Sequence, residues 1–425
     1  MPDSTKFVAA SLGARDGVPH VQPVELTGMV RQPILDLRGR LHGYELLFQD
    51  APEGDIGADS VLSPLSILDN MVLFGLDLLT GGTLAFVRCT AEALSENLLA
   101  VLPPSLTVLE IPAALELTPK LLEACREFSK RGFRLALIDF KESETRHPLL
   151  DIVQYIKVNS TCLDICNLET LRRQLKGRST AIVAEEVHTQ DAYMRARAGG
   201  CSYFQGFYFC NPETVRNAKV PANRLLHIEI LRQLFRDPLD LGTLCPLLLR
   251  DAALVYRVLR LVNSPTYAIR HQVSSIQSAV MILGDDAVRG IATLAIQCAL
   301  NAEQPPELLH MALLRARFCA EAAHLCNLHS NEQYLLGMLS LLPAMLRVPM
   351  ETLAPQLPLR KEIRQALLGA VTPERCLLAW IESHECNKVS GCLAIADTYG
   401  LDRSSLMQIY FDAVVWVAAQ PDLVA

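Results

Sequence analysis

The 425-residue sequence is poor in aromatics, which make up 6% of it, so large cores must be built mainly from Leu, Ile, Val and Ala. No apolar run reaches the length that spans a bilayer, and no basic segment followed by an apolar one opens the chain. A cytoplasmic protein without a membrane segment is expected. There is no excess of basic residues: 39 Lys and Arg stand against 46 Asp and Glu, a net charge of -7, which argues against a nucleic-acid binder. The 13 cysteines form no C-x-x-C, and neither the Cys162/Cys166 spacing nor the nearness of Cys319 to Cys326 comes with a histidine that would complete a zinc site. They are expected to be free, buried thiols in a reducing compartment.

Half the residues are hydrophobic and a fifth charged, and the length suits two domains. Residues 1–27, rich in Ser, Gly, Asp and Pro without a period, are expected to be a disordered leader. From 28 to 212, β-rich runs alternate with amphipathic segments. Strands are expected at Val30–Asp36, Gly43–Phe48, Leu84–Cys89, Thr107–Ile111, Arg134–Phe140, Tyr155–Asn159, Ala181–Val187 and Tyr203–Phe209. Helices are expected at Leu65–Leu79, Ala91–Val101, Pro119–Arg131, Pro148–Gln154, Leu168–Leu175 and Asp191–Ala198. About eight strands in under ~200 residues favour an α/β barrel of the TIM type, and the short gap Leu37–His42 makes its first strand pair an antiparallel hairpin. From 213 to 425 the β signals vanish and the spacing is all-helical, with caps at Ser275, Thr372-Pro373 and Asp402 and cap glycines at Gly284 and Gly369.

In such a barrel the polar residues at the carboxyl ends of strands carry the chemistry. They are Glu45, Arg88, Glu110, Asp139, Lys157, Glu185 and Gln205. A ring of carboxylates with one lysine is what a two-metal phosphodiester hydrolase needs: carboxylates hold divalent cations, the metals activate water, and lysine stabilises developing charge.

The opening segments Val30-Arg31-Gln32-Pro33-Ile34 and Gly43-Tyr44-Glu45-Leu46-Leu47-Phe48, with the closing ones Ala184-Glu185-Glu186-Val187 and Gln205-Gly206-Phe207, resemble EAL domains, the cyclic-di-GMP phosphodiesterases. The resemblance implies metal ligands at Glu45 and Glu110, a catalytic lysine at Lys157 and a general base at Glu185. Departures are several. Gln49 stands for a substrate-binding arginine, Arg88 for an asparagine ligand, and Ile138-Asp139 for a pair of aspartates. Lys141-Glu142-Ser143 replaces a glycine-rich stretch, Asn159 an acidic residue, and His188 a glutamate.

Arginine cannot deprotonate, and a like charge about 4 Å from a metal costs about 4 kcal/mol at an effective dielectric of about 20, roughly three powers of ten in affinity. Arg88 is therefore expected to pair with Glu45 or Glu110 in place of a metal. The carboxylates, Asp139 and Lys157 become vestigial, and no metal is bound. Gln32, Glu45, Arg88, Glu185 and Gln205 remain as candidate ligand contacts.

In the helical half, Leu259-Arg260-Leu261-Val262-Asn263-Ser264-Pro265-Thr266-Tyr267 and Val273-Ser274-Ser275-Ile276-Gln277 through Gly284 resemble the HDOD signature. HDOD domains are related to the HD phosphohydrolases, whose His-Asp ligand pair occurs nowhere in this sequence; Ser340 and Leu341 stand where it would fall. The signature also reads as local structure, a helix stop at Asn263-Ser264-Pro265 and a cap at Ser274-Ser275. The order resembles the tandem EAL–HDOD signalling family. It implies a non-enzymatic regulator that contacts a protein partner through the HDOD domain. One alternative is a cyclic-di-GMP receptor without turnover; the second is an active phosphodiesterase using Mg²⁺ or Mn²⁺.

Overall fold

The structure, a computed structural model, describes residues 28–49, 75–140, 148–161, 165–210, 222–236, 238–263, 273–300, 304–357 and 359–419. The leader, the larger part of the Leu65–Leu79 helix, Lys141-Glu142-Ser143, Cys162, the 212/213 boundary and Ser264–Tyr267 lie outside the described residues, as does the side chain of Gln49. Two compact units are present, one holding the strands and one the helices from Ala222 onward.

The first is a closed barrel of β1 (Gly28–Asp36), β2 (Leu41–Gln49), β3 (Leu84–Arg88), β4 (Thr107–Pro112), β5 (Arg134–Ile138), β6 (Tyr155–Asn159), β7 (Ala181–Glu185) and β8 (Tyr203–Gln205). β1 runs antiparallel to both its neighbours, β2 and β8, and the other pairs are parallel. The hairpin is closed by Asp36, whose carboxylate accepts from the backbone N–H groups of Arg38 and Arg40 and from the Arg40 guanidinium. Gly39 supplies the positive φ that so tight a turn requires.

Three strands end earlier than their apolar runs suggest. β5 stops before Asp139 (φ 55°), β7 before Glu186 (φ 58°) and β8 before Gly206 (φ 138°), so left-handed or glycine-only backbone turns the chain out of the barrel. At Gly206 a Cβ would lie within 2.3 Å of the Val187 carbonyl oxygen. The expected helix over Pro148–Gln154 is a pair of turns bonded back to Leu149. Asn97, at φ 58°, divides the Ala91–Val101 segment into an α-turn and a 3₁₀ turn.

Inward-facing positions fall into layers because alternate residues of a strand face the interior. Ile34, Phe86, Val108, Ala136, Tyr155 and Val183 form an apolar plug, with Leu84, Ala181 and Tyr203 against it. His42 joins the plug from the start of β2, stacked on Tyr203 at 3.9 Å and hydrogen-bonded through Nε2 to the Tyr155 hydroxyl at 3.0 Å.

The second unit contains helices and turns, among the described residues, with no strand. Ser275 and Asp402 accept bonds from Ser278 N and Ser405 N, capping as expected, whereas Thr372 makes no side-chain cap bond. Gly284 and Gly369 both take positive φ, 82° and 87°. Ser330–Leu339 and Leu342–Leu346 are separate helices because Pro343 cannot donate into a continued one. Gly337 is where Ser330–Leu339 meets Pro306–Ala322: an added Cβ would sit 2.5 Å from the Arg315 carbonyl oxygen.

Two outcomes are expected. Gly337→Ala forces those helices apart and should cost about 1–3 kcal/mol in urea unfolding, the usual penalty for overpacking. Burial, with Arg134 nearby, lowers the His42 pKa from 6.5 to about 4. Between those values the unfolded chain takes up a proton that the folded barrel refuses, so stability falls as pH drops through that window. His42→Phe should lose less stability than the parent between about pH 7 and pH 5; equal losses would exclude His42 as the source.

Candidate active site

The polar ring lies one inward step above the plug. Two residues beyond Phe86, Val108, Ala136, Tyr155 and Val183 come Arg88, Glu110, Ile138, Lys157 and Glu185, and the β1–β2 and β1–β8 registers bring Gln32, Glu45 and Gln205 to the same end. Two-residue periodicity thus places charge at the carboxyl ends of strands whose preceding layer is dry.

Lys157 is the centre. Its Nζ lies 2.7 Å from Glu110, 2.8 Å from Glu185 and 3.1 Å from Glu45, and its side chain is completely buried. Exposure of the carboxylates is graded: Glu110 0%, Glu45 8% and Glu185 19%. Gln205 Nε2 donates to Glu45 Oε2 and, at 2.9 Å, to Gln32 Oε1, so three of the expected ligand contacts are joined through Gln205.

Three carboxylates round one ammonium leave an excess of negative charge in a desolvated place, and protonation relieves it. Burial, then the charge of Glu45, raise the Glu110 pKa well above the usual carboxylate range, against the pull of Lys157. Burial also raises Glu185, with Lys157 the main opposing cause. Glu45 goes the other way: burial opposes its charge, but Lys157 and the Gln205 bond outweigh burial. Lys157 itself, despite burial, is held charged by Glu110, Glu185 and Glu45. Within the cluster the ammonium is held charged, Glu45 holds its proton least tightly and Glu110 most tightly. Glu110 Oε2 takes no donor in the structure.

The Arg88 guanidinium is not beside Glu45 or Glu110, where its charge was expected to stand in for a metal. It pairs with Asp139 at 2.7 Å, both side chains about half exposed, and not with Glu45 or Glu110. Register alone sets Arg88 beside Glu110, but the long side chain reaches water more cheaply than a buried site, and the left-handed Asp139 offers it a carboxylate at the rim. Lys157, not Arg88, is the cation within the ring.

The left-handed Glu186 turns away and pairs with His188 at 2.8 Å, while its carbonyl accepts from the Ser160 hydroxyl at 2.9 Å. Ser160 fixes the peptide that follows Glu185; no sequence pattern marks it. The donor set does not fit the metal pair that the EAL resemblance implies. Arg88 and buried Ile138 offer no ligand oxygen, the remaining carboxylates converge on the ammonium, and among the described residues no group of His, Cys, Asp or Glu is arranged to hold a metal.

In the helical unit the HDOD-like signature is a clamp. The Asn263 side chain donates to the carbonyls of Leu259 and Val273 and accepts from Val273 N, at 2.7–2.8 Å. Where an HD hydrolase would place His-Asp, Ser340 donates to Gly337 O and accepts from Arg315, which also pairs with Glu382 at 3.4 Å.

The charge assignment has a direct check in urea unfolding. Lys157→Met leaves buried carboxylates without their counter-charge and should cost about 3–5 kcal/mol. Because burial and Glu45 make Glu110 hold its proton tightly, Glu110→Gln should change stability by no more than about 1 kcal/mol. A Glu110→Gln loss as large as that of Lys157→Met would show that Glu110 is ionised.

Comparison with known proteins follows the two units. The EAL domain family matches residues 87–212 and the HDOD domain family residues 223–356. The cyclic di-GMP phosphodiesterase CdgJ of Vibrio cholerae is 31% identical over 399 residues, which span 92% of each chain. The uncharacterized protein YuxH of Bacillus subtilis is 26% identical over 91% of this chain and 97% of that one. Among solved structures, the Bacillus subtilis YkuI protein with c-di-GMP and calcium is similar with a TM-score of 0.35 and 16% identity, over 60% of this chain and 71% of that one. Likeness to CdgJ along nearly its whole length, to a protein named as an enzyme, overturns the expectation of a non-enzymatic chain. That expectation rested on Arg88 intruding among the carboxylates, which it does not do, and on Ile138 in place of a ligand aspartate. With both domains matched in order and a relative alike from end to end, the chain belongs to the tandem EAL–HDOD family.

Proposed function

We propose that the barrel binds cyclic di-GMP over the Lys157 cluster and hydrolyses a phosphodiester bond of it. The observation that carries this reading is the convergence of Glu45, Glu110 and Glu185 on one buried ammonium at the carboxyl ends of the strands. Its naming support is the phosphodiesterase relative.

Glu185 is the general base. It is the most exposed of the three carboxylates, so water and a phosphodiester can reach it, and burial raises its pKa toward the range in which a base works best. Water forms a bond to phosphorus and gives its proton to Glu185. The ester P–O bond breaks, and the leaving oxygen takes a proton from solvent. Lys157 keeps its own proton and stabilises the charge that develops on the phosphoryl oxygens, a role that a fixed ammonium in a dry site fills with no reorganisation. Glu45 and Glu110 hold Lys157 in place. Gln32 and Gln205 offer amide contacts to the ligand. Arg88, half exposed at the rim, is a phosphate contact when it leaves Asp139, since a guanidinium forks onto phosphate oxygens. No step uses a metal. The helical unit, with Ser340 and Leu341 where the hydrolase ligands would fall and Arg315 bonded to Ser340, takes the regulatory role through a protein partner.

Calorimetry with cyclic di-GMP, with and without Mg²⁺ or Mn²⁺, followed by chromatography of products, tests this. The expected result is binding with release of the linear dinucleotide. Glu185→Gln should lower kcat by roughly 10²–10⁴-fold and change Kd little. Binding without any linear product, in every metal condition, would replace this reading by that of a receptor; no heat at all would remove both.

A further inference from the structure

Two of the 13 cysteines, separated by fifty residues of chain, meet in the helical unit. Cys326 ends the 3₁₀ turn Ala323–Cys326, and Cys376 opens the helix Cys376–Glu385. Their sulfur atoms are 3.4 Å apart. Each is delivered by a tied turn. Asn327, at φ 53°, reverses the chain after Cys326, and Leu328 N donates to Ala323 O. Before Cys376, Arg375 N donates to Thr372 O, and Gln333 Nε2 donates to Glu374 O at 3.0 Å.

The two thiols differ in setting. Cys376 is 2% exposed, whereas Cys326 is partly open to solvent. The hydrogen bond between them lowers the pKa of Cys326, which burial would raise, and together with burial raises that of Cys376. An accessible sulfur that holds its proton less tightly, 3.4 Å from a buried sulfur that holds its proton more tightly, is the pairing of an attacking and a resolving cysteine. A disulfide bond is about 2.05 Å long, so the sulfurs need to approach by only about 1.4 Å.

We propose that Cys326 and Cys376 form a peroxide-responsive dithiol that closes to a reversible disulfide. The Cys326 thiolate attacks one oxygen of hydrogen peroxide; the S–O bond forms, the O–O bond breaks, and the departing hydroxide takes the proton of Cys376. Cys376, now a thiolate, attacks the Cys326 sulfenic sulfur; the S–S bond forms, the S–O bond breaks, and a second water leaves once protonated by solvent. Two thiols and one peroxide give one disulfide and two waters, sulfur supplying both electrons. The bond joins the end of Pro306–Ala322 and its 3₁₀ turn to the helix whose Trp380 stacks on Phe318 at 5.0 Å, so it staples elements already packed together. Cys319, completely buried nearby, is a bystander.

The test uses the full chain, reduced and then exposed to stoichiometric hydrogen peroxide. Thiol titration under denaturing conditions should fall by two from 13, and proteolytic mass spectrometry should find one cross-link between the Cys326 and Cys376 peptides, reversed by dithiothreitol. In Cys376→Ser the sulfenic acid should persist and be trapped by dimedone at Cys326; in Cys326→Ser neither product should form, while Cys319→Ser should cross-link like the parent. An unchanged count of thiols, a cross-link through Cys319, or dimedone on another cysteine would overturn the proposal. The wild-type cross-link decides the matter even if a serine variant folds poorly.

Discussion

A lysine ammonium with three carboxylates around it, sealed at the mouth of a barrel, is the interaction on which the rest of the site depends. Desolvating one cation and three acids would be prohibitive if each kept its charge, so the cluster settles into fewer charges than its residue names suggest. The same balance keeps Lys157 charged and raises the proton affinity of Glu110 and of Glu185, the carboxylate nearest to solvent. The apolar plug beneath makes it possible, because it bars water from the lower side of the ring.

The same cluster explains why replacing ligands of the EAL pattern does not erase the site. Carboxylates that lose a metal need another cation, and Lys157 already stands among them. Arg88 is free to satisfy itself at the rim, where Asp139, turned by its left-handed backbone, meets it in water. Two strained positions, Asp139 and Glu186, stand just past the ends of β5 and β7, so the backbone that terminates these strands also sorts inward carboxylates from outward ones.

The helical unit reaches its order by other means. Close approach at Gly337, the Asn263 side chain bonded across the signature loop, and the Arg315–Ser340 contact are packing and clamp devices, the last of them where a hydrolase would hold its His-Asp pair. Reactivity there moves to the turns that set Cys326 against Cys376.

Strand and helix order, the antiparallel opening hairpin, the all-helical second half and the family itself were legible from sequence, since periodicity and motif order are local properties of the chain. So were Glu110, Lys157 and Glu185, each two positions beyond a plug residue. Left-handed turns at Asp139 and Glu186 were not legible, because non-glycine residues seldom adopt them. Nor was the partner of Arg88: a charge argument assumes a distance, and a long side chain chooses its distance by the solvent around it. Cys326 and Cys376, and the proton inventory of Lys157 and its glutamates, were likewise decided by tertiary structure alone. Sequence determines which groups exist and which face of an element they share; burial and through-space proximity, which arise only when distant segments pack, determine their charge and their partners.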